Sequence, residues 1–186
     1  AVPDPSWAEA GGELVGRFHV AVADLDHAYA FARTGVHDTA AHLERLRGAI
    51  HAGEPEHVEH IEHIELGREV LAAANDLPAM PVVPRRHCHG DLKISNILFA
   101  QPPPRGICLV DLDTLGLSTM AFELGDAMRS WCNPRGEDAG SVGFDLAIFE
   151  AAMRGFRAVA DHVLSPVERG SIIIGLETVC IELAAR

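Results

Sequence analysis

The side chains able to do chemistry concentrate in one segment, His87-Cys88-His89-Gly90-Asp91-Leu92-Lys93-Ile94-Ser95-Asn96-Ile97-Leu98-Phe99. A second apolar run ends in Leu109-Val110-Asp111-Leu112-Asp113, with Asp111 fifteen residues after Asn96. Phosphoryl transfer needs these residue types at these spacings. A carboxylate must take the proton of an attacking hydroxyl, and Asp91 stands in a loop ahead of an apolar run. A carbonyl-bearing side chain and a second carboxylate suit Mg²⁺, a hard ion that prefers oxygen, and Asn96 and Asp111 supply them. A cation near the transferred group offsets its charge, a role for Lys93. His89 can orient the loop by bonding backbone near Asp111. A lone Asp or Asn before a strand is usually a turn residue. The joint pattern of H-G-D-L-K-x-x-N, apolar run, turn, apolar run and Asp is far more demanding.

These residues must be positioned by elements on both sides. Ile94 to Phe99 and Gly106 to Leu112 are short apolar runs around Gln101-Pro102-Pro103-Pro104-Arg105, which predicts two strands and a proline-rich turn. Upstream, Ser6-Trp7-Ala8-Glu9 reads as a capping box opening a helix with Trp7, Leu14, Phe18, Val22 and Leu25 on one face. Gly11, Gly12 and Gly16 within it predict an irregularity, and they lack the spacing of a phosphate loop. Asp38 or Thr39 caps a second helix to about Ile50, and a third runs from about Glu56 to Ala74. Prolines 78, 81 and 84 end the helical stretch. Helices resume near Met120, from Phe144 to Val163, and from Ser165-Pro166-Val167-Glu168, a second capping box. The division expected is a helical part, 1–83, and a catalytic part, 84–186, within one lobe.

Composition narrows the classes. The chain has 186 residues and a net charge of −12. So acidic a chain is not a general nucleic-acid binder, which needs a basic surface. Hydrophobic residues at 48% and charged residues at 23% are globular proportions. No segment reads as a signal peptide or membrane span. The four cysteines form no C-x-x-C pair, which fits free thiols and the cytoplasm. Of fifteen basic residues fourteen are Arg, and the single lysine is Lys93.

The segment around Asp91 resembles the catalytic loop of the aminoglycoside phosphotransferase family, relatives of choline kinase and the protein kinases that phosphorylate small-molecule hydroxyls. Within the family the resemblance is greatest to the N-acetylhexosamine 1-kinase group. It extends to Gly35-Val36-His37-Asp38-Thr39, to Leu109-Val110-Asp111-Leu112-Asp113-Thr114, to Phe122-Glu123-Leu124-Gly125-Asp126-Ala127-Met128-Arg129, and to Leu164-Ser165-Pro166-Val167-Glu168-Arg169. That group tends to have Asn where Gly90 stands, and no basic residue lies between Arg169 and Arg186, where it carries an arginine.

The resemblance implies an α+β, mostly helical C-terminal lobe of a protein-kinase-like fold with a small β-hairpin. It implies Asp91 as catalytic base, Lys93 near the transferred phosphate, and Asn96 and Asp111 as Mg²⁺ ligands, with ATP as donor. The substrate would be a small-molecule hydroxyl, a sugar or sugar-like alcohol, with no nucleic-acid or membrane partner. Glu123 or Asp126 would brace the catalytic loop. The family also has an N-terminal ATP-binding lobe with a strand lysine. With only Lys93 present, that lobe is expected to be absent and the chain incomplete for catalysis alone.

Two other classes fit parts of the sequence. A non-catalytic kinase-like lobe or pseudokinase, an interaction module, is favoured by the missing strand lysine. A metal-binding helix would use His57, His60 and His63. Their step of three drifts around a helix, so a solvated acidic face explains them better.

Overall fold

The computed structural model describes residues 2–31, 35–53, 61–135 and 143–186. Three helices come first: α1 (Pro5–Ala21), α2 (Thr39–Gly53) and α3 (Ile61–Asn75). Four short strands follow, β1 (Arg86–Cys88), β2 (Ile97–Ala100), β3 (Arg105–Leu109) and β4 (Gly116–Ser118). The chain closes with α4 (Met120–Trp131), α5 (Leu146–Ala160) and α6 (Pro166–Ala184). The α+β, mostly helical architecture agrees with the expectation from sequence.

Two antiparallel pairs make up the β structure. β2 pairs with β3, as the apolar runs predicted, with Ile97 opposite Leu109 and a bulge between Leu98 and Phe99. β1 pairs with β4, His87 opposite Leu117, and this pair had no clear signal in the sequence. Three residues suffice for each strand because the pairing is held at both ends by side chains described below.

Helix starts follow local chemistry. α1 begins earlier than the Ser6 box suggested. Asp4 is the N-cap, accepting from Ser6 N at 2.8 Å, and Pro5 takes the first helical position. Proline has its φ already set there and lacks only an N–H that would be unpaired anyway. Asp38 caps α2 through Ala41 N at 3.0 Å. α5 starts at Leu146 rather than Phe144, because Asp145 accepts from both Ala147 N and Ile148 N. The capping box at Ser165 and Glu168 is present in both directions. The expected start of the third helix, Glu56, lies outside the described residues.

The glycines of α1 do not disturb it. The helix is continuous and packs along α5. A Cβ on Gly155 would fall 2.0 Å from Glu9 O, so glycine lets the two backbones touch. α4 and α6 meet in the same way, where a Cβ on Gly175 would lie 1.9 Å from Ala121 O. Trp131, Phe156, Leu92, Met120, Leu124 and Val15 fill the core between these pairs, each no more than 2% exposed.

α2 is tied to α6 by a polar clasp. Glu182 accepts from Thr39 Oγ1 at 2.6 Å and meets His37 Nδ1 at 2.8 Å. The His37 ring stacks on Phe122 at 4.3 Å, one residue before Glu123. All four cysteines are free. Burial pushes the Cys88 thiol well up, and burial and Asp145 push that of Cys132 up to about 12, so neither is a nucleophile near neutrality. Among the described residues no helix is long and apolar enough to cross a membrane.

Candidate active site

β1 delivers the chain into the loop His89-Gly90-Asp91-Leu92, and side chains distant in sequence fix that loop's backbone. Glu123, from the first turn of α4, accepts His89 N at 2.8 Å on Oε1 and Gly90 N at 2.9 Å on Oε2. Thr114 Oγ1 donates to His89 O at 2.7 Å. Trp131 Nε1 donates to Leu92 O at 2.6 Å. Gly90 turns at φ +81°, and a Cβ there would meet Thr114 O at 2.7 Å. The turn thus requires glycine both for its backbone angle and for its space.

His89 works inside this frame. Its Nε2 lies 3.0 Å from Val110 O, so Nε2 carries the proton, since a carbonyl only accepts. Nδ1 then accepts from Asp91 N at 3.3 Å. One fully buried ring thereby ties the loop to the end of β3, next to Asp111.

Asp91, Lys93 and Asn96 form a single polar cluster. Lys93 Nζ donates to Asp91 Oδ2 at 2.8 Å. Asn96 Nδ2 donates to the same oxygen at 3.1 Å and to Asp91 O at 2.9 Å. The short 3₁₀ turn Ile94–Asn96 brings Asn96 back over the loop. Val110 N donates to Asn96 O at 2.9 Å, which sets Asp111 beside Asn96 at the open end of the β2–β3 hairpin. Asp111 itself sits at φ 67°, ψ 60°, the single non-glycine residue with positive φ among the described residues. Aspartate tolerates this left-handed conformation better than most, but it still costs about 1 kcal/mol. The Asp111 carboxylate is exposed and does not cap the 3₁₀ turn that follows it.

The chemistry of the donor set fits a hard divalent cation. Asn96 spends its amide N–H groups on Asp91 and its Oδ1 receives no hydrogen bond from the described residues. Asp111 offers an exposed carboxylate. No group of three or more His, Cys, Asp or Glu that could hold a metal occurs among the described residues. Two oxygen ligands completed by phosphate oxygens and water suit Mg²⁺ without such a cage. His57 and His60 lie outside the described residues, and His63 is on α3.

The structure separates Glu123 from Asp126. Glu123 holds the loop, whereas Asp126 pairs with Arg129 Nε at 2.9 Å along its own helix. Burial pushes the Glu123 carboxyl up. The His19 imidazole and the N–H groups of Gly90 and His89 outweigh burial and hold it below the usual carboxylate range. Its signal in the sequence was a charged residue between Phe122 and Leu124 on a core-facing helix. Thr114, and the second role of Trp131 as a donor, had no such signal.

A helical body thus carries a cross-braced loop, with two oxygen-bearing side chains, Asn96 and Asp111, near the open end of a hairpin. The model of the phosphotransferase enzyme family, APH, matches residues 2–160. The chain belongs to that family.

Proposed function

We propose that this chain is the catalytic lobe of a protein-kinase-like small-molecule kinase, which transfers the γ-phosphoryl group of ATP to a hydroxyl of a sugar or sugar-like alcohol. The observation that carries the reading is the Asp91 cluster, with Lys93 at 2.8 Å and Asn96 at 3.1 Å on one carboxylate oxygen. Asp91 is the base. Its Oδ2 is held by these two partners, which leaves Oδ1 to orient the acceptor hydroxyl and take its proton. Lys93 neutralises Asp91 at rest and is within reach of an incoming phosphate. Asn96 and Asp111 would hold Mg²⁺, which supplies charge neutralisation on the phosphate oxygens. His89, Glu123 and Trp131 keep the loop from rearranging as charge develops, so that little reorganisation accompanies transfer.

The test is Asp91→Asn in the complete protein, assayed for ADP release against a panel of sugars, choline, homoserine and aminoglycosides. Turnover of one panel member should fall by at least about a thousandfold, within the range that base and positioning effects together supply. Nucleotide binding should stay within twofold. Unchanged turnover would remove Asp91 from the reaction. One observation favours a second reading, a non-catalytic interaction module: the single lysine of the chain is engaged with Asp91. Absence of turnover with every panel member, together with no Mg²⁺-dependent nucleotide binding by the complete protein, would favour that reading.

A further inference from the structure

His19 lies in the last turn of α1 and is 2% exposed. Phe18 and Phe156 pack edge-on against its ring, with centroids at 5.0 and 6.1 Å. Nε2 is the one buried side-chain polar atom among the described residues that makes no aligned hydrogen bond. Its neighbour is Glu123 Oε1 at 3.3 Å, within ion-pair distance. A histidine that merely filled the core would have its ring nitrogens satisfied or turned to solvent.

The partner makes this contact consequential. The side chains of both His19 and Glu123 are 1% exposed. Glu123 spends one oxygen on His89 N and the other on Gly90 N. Two neutral N–H groups are a thin shell for a buried carboxylate. No Lys or Arg of the described residues stands within ion-pair distance of it. Arg86 is committed to Glu168, Arg85 to Leu117 O, and both nitrogens of His87 to Tyr29 Oη and Leu25 O. These groups share with His19 a cavity of about 140 Å³, and Cys88 lies near Glu123 with its thiol pushed well up. A bare Nε2 lone pair at 3.3 Å from a carboxylate oxygen would be repulsive, so Nε2 carries a proton.

We propose that His19 is a positioning residue for the catalytic loop: from α1 its Nε2–H supplies the third donor to Glu123, which fixes the His89 and Gly90 amides and thereby Asp91. The contact stands on geometry alone, and its consequence for turnover rests on the kinase reading. Four elements then meet at one carboxylate, α1 through His19, β1 through the chain entering His89, the loop through Gly90, and α4 through Glu123 itself.

The wild-type chain supplies the first test. Long-range ¹H–¹⁵N spectra of its imidazoles should show His19 protonated at Nε2, with that proton protected from exchange. An unprotonated Nε2 overturns the proposal whatever any variant does. His19→Leu should then shift the His89 and Gly90 amide protons upfield and raise their exchange about tenfold or more, the size of one lost hydrogen bond to a charged group. His19→Gln, whose amide nitrogen reaches a similar point, should restore both. Amides unmoved in a folded His19→Leu, or unrestored in a folded His19→Gln, overturn it. In the complete protein His19→Leu should lower kcat about tenfold with KM for the hydroxyl substrate within twofold. If the spectra behave as stated and no phosphotransfer is found, the kinase reading falls and the positioning role stands.

Discussion

Arg86 donates to Glu168 from Nε at 2.6 Å and from Nη2 at 3.1 Å, a two-pronged bond across 82 residues. Arg86 starts β1, three residues before His89. Glu168 closes the capping box of α6. The strand that feeds the loop His89-Gly90-Asp91-Leu92 is therefore anchored to the start of the last helix. Burial pushes the Glu168 carboxyl up, and the bonds from Arg86 and Ser165 outweigh it, so it titrates below its usual value. A carboxyl lowered in the folded state adds stability above its unfolded value, near 4.5, and that stability is lost as pH falls through the lower folded value. Glu168→Gln should cost about 1.5–3 kcal/mol at pH 7, the size of hydrogen bonds to a charged group in a part-buried pair. It should also flatten the decline of the urea midpoint between pH 5 and pH 3, approximately the carboxylate range. A variant that declines as steeply as wild type would show that Glu168 carries none of the acid sensitivity.

Glu123 and Asp126 are three residues apart on α4 and should respond unequally. Glu123→Gln sets an amide NH₂ against a backbone N–H of the loop, leaving a buried donor unpaired at a cost of about 1–3 kcal/mol. Exchange of the His89 and Gly90 amides should rise with it. Asp126→Asn removes a partly exposed pair within one helix and should change stability by less than about 0.5 kcal/mol. Urea unfolding and amide exchange on the two variants check this. Equal effects would mean that the loop is braced elsewhere.

What the sequence disclosed and what it hid follow from the range of the interactions. Helices announced by a capping box, such as α6 behind Ser165, are local objects and could be read. So could the β2–β3 hairpin, since apolar runs flank its own turn. The β1–β4 pair could not, because three-residue strands carry too little periodicity and their partners are thirty residues apart. Asp91, Lys93 and Asn96 lie within six residues, so their cluster is local as well. The contacts that hold it in place, from Thr114, Glu123 and Trp131, are all long-range. Ser6 has the box spacing of a cap, which is a local pattern. Asp4 prevailed because Pro5 sets the backbone for the first turn.

The close helix crossings make a prediction that is independent of the site. A Cβ on Gly175 would overlap Ala121 O and Ala121 C, both backbone atoms that cannot turn aside. Gly175→Ala adds only one methyl group and improves helix propensity, so an exposed site would be stabilised. Here the α4–α6 pair must separate, at a cost of about 2 kcal/mol or more. The melting temperature should drop by about 5 °C or more in a chain of this size. Gly48→Ala, on α2 with nothing within 4 Å of its added Cβ, is the matched control and should not lower it.

Asp111 separates stability from function most sharply. Its left-handed backbone is a cost that the fold bears, and its carboxylate caps nothing nearby. Strain kept at a residue that repays no structural debt is a mark of use. Asp111→Gly keeps the backbone conformation, removes the steric cost and deletes the carboxylate. Its folded state should be as stable as wild type or up to about 1 kcal/mol more stable, because relieved strain offsets the greater freedom of glycine when unfolded. On the kinase reading, Mg²⁺-dependent nucleotide binding and turnover by the complete protein should both be lost. Asp111→Asn retains a tolerated left-handed residue and an oxygen ligand without its charge, so it should bind Mg²⁺ more weakly with unchanged stability. Melting curves and Mg²⁺ titrations of the two variants decide the matter. If Asp111→Gly destabilises the fold and leaves Mg²⁺ dependence intact, the strained residue serves the fold and not the metal.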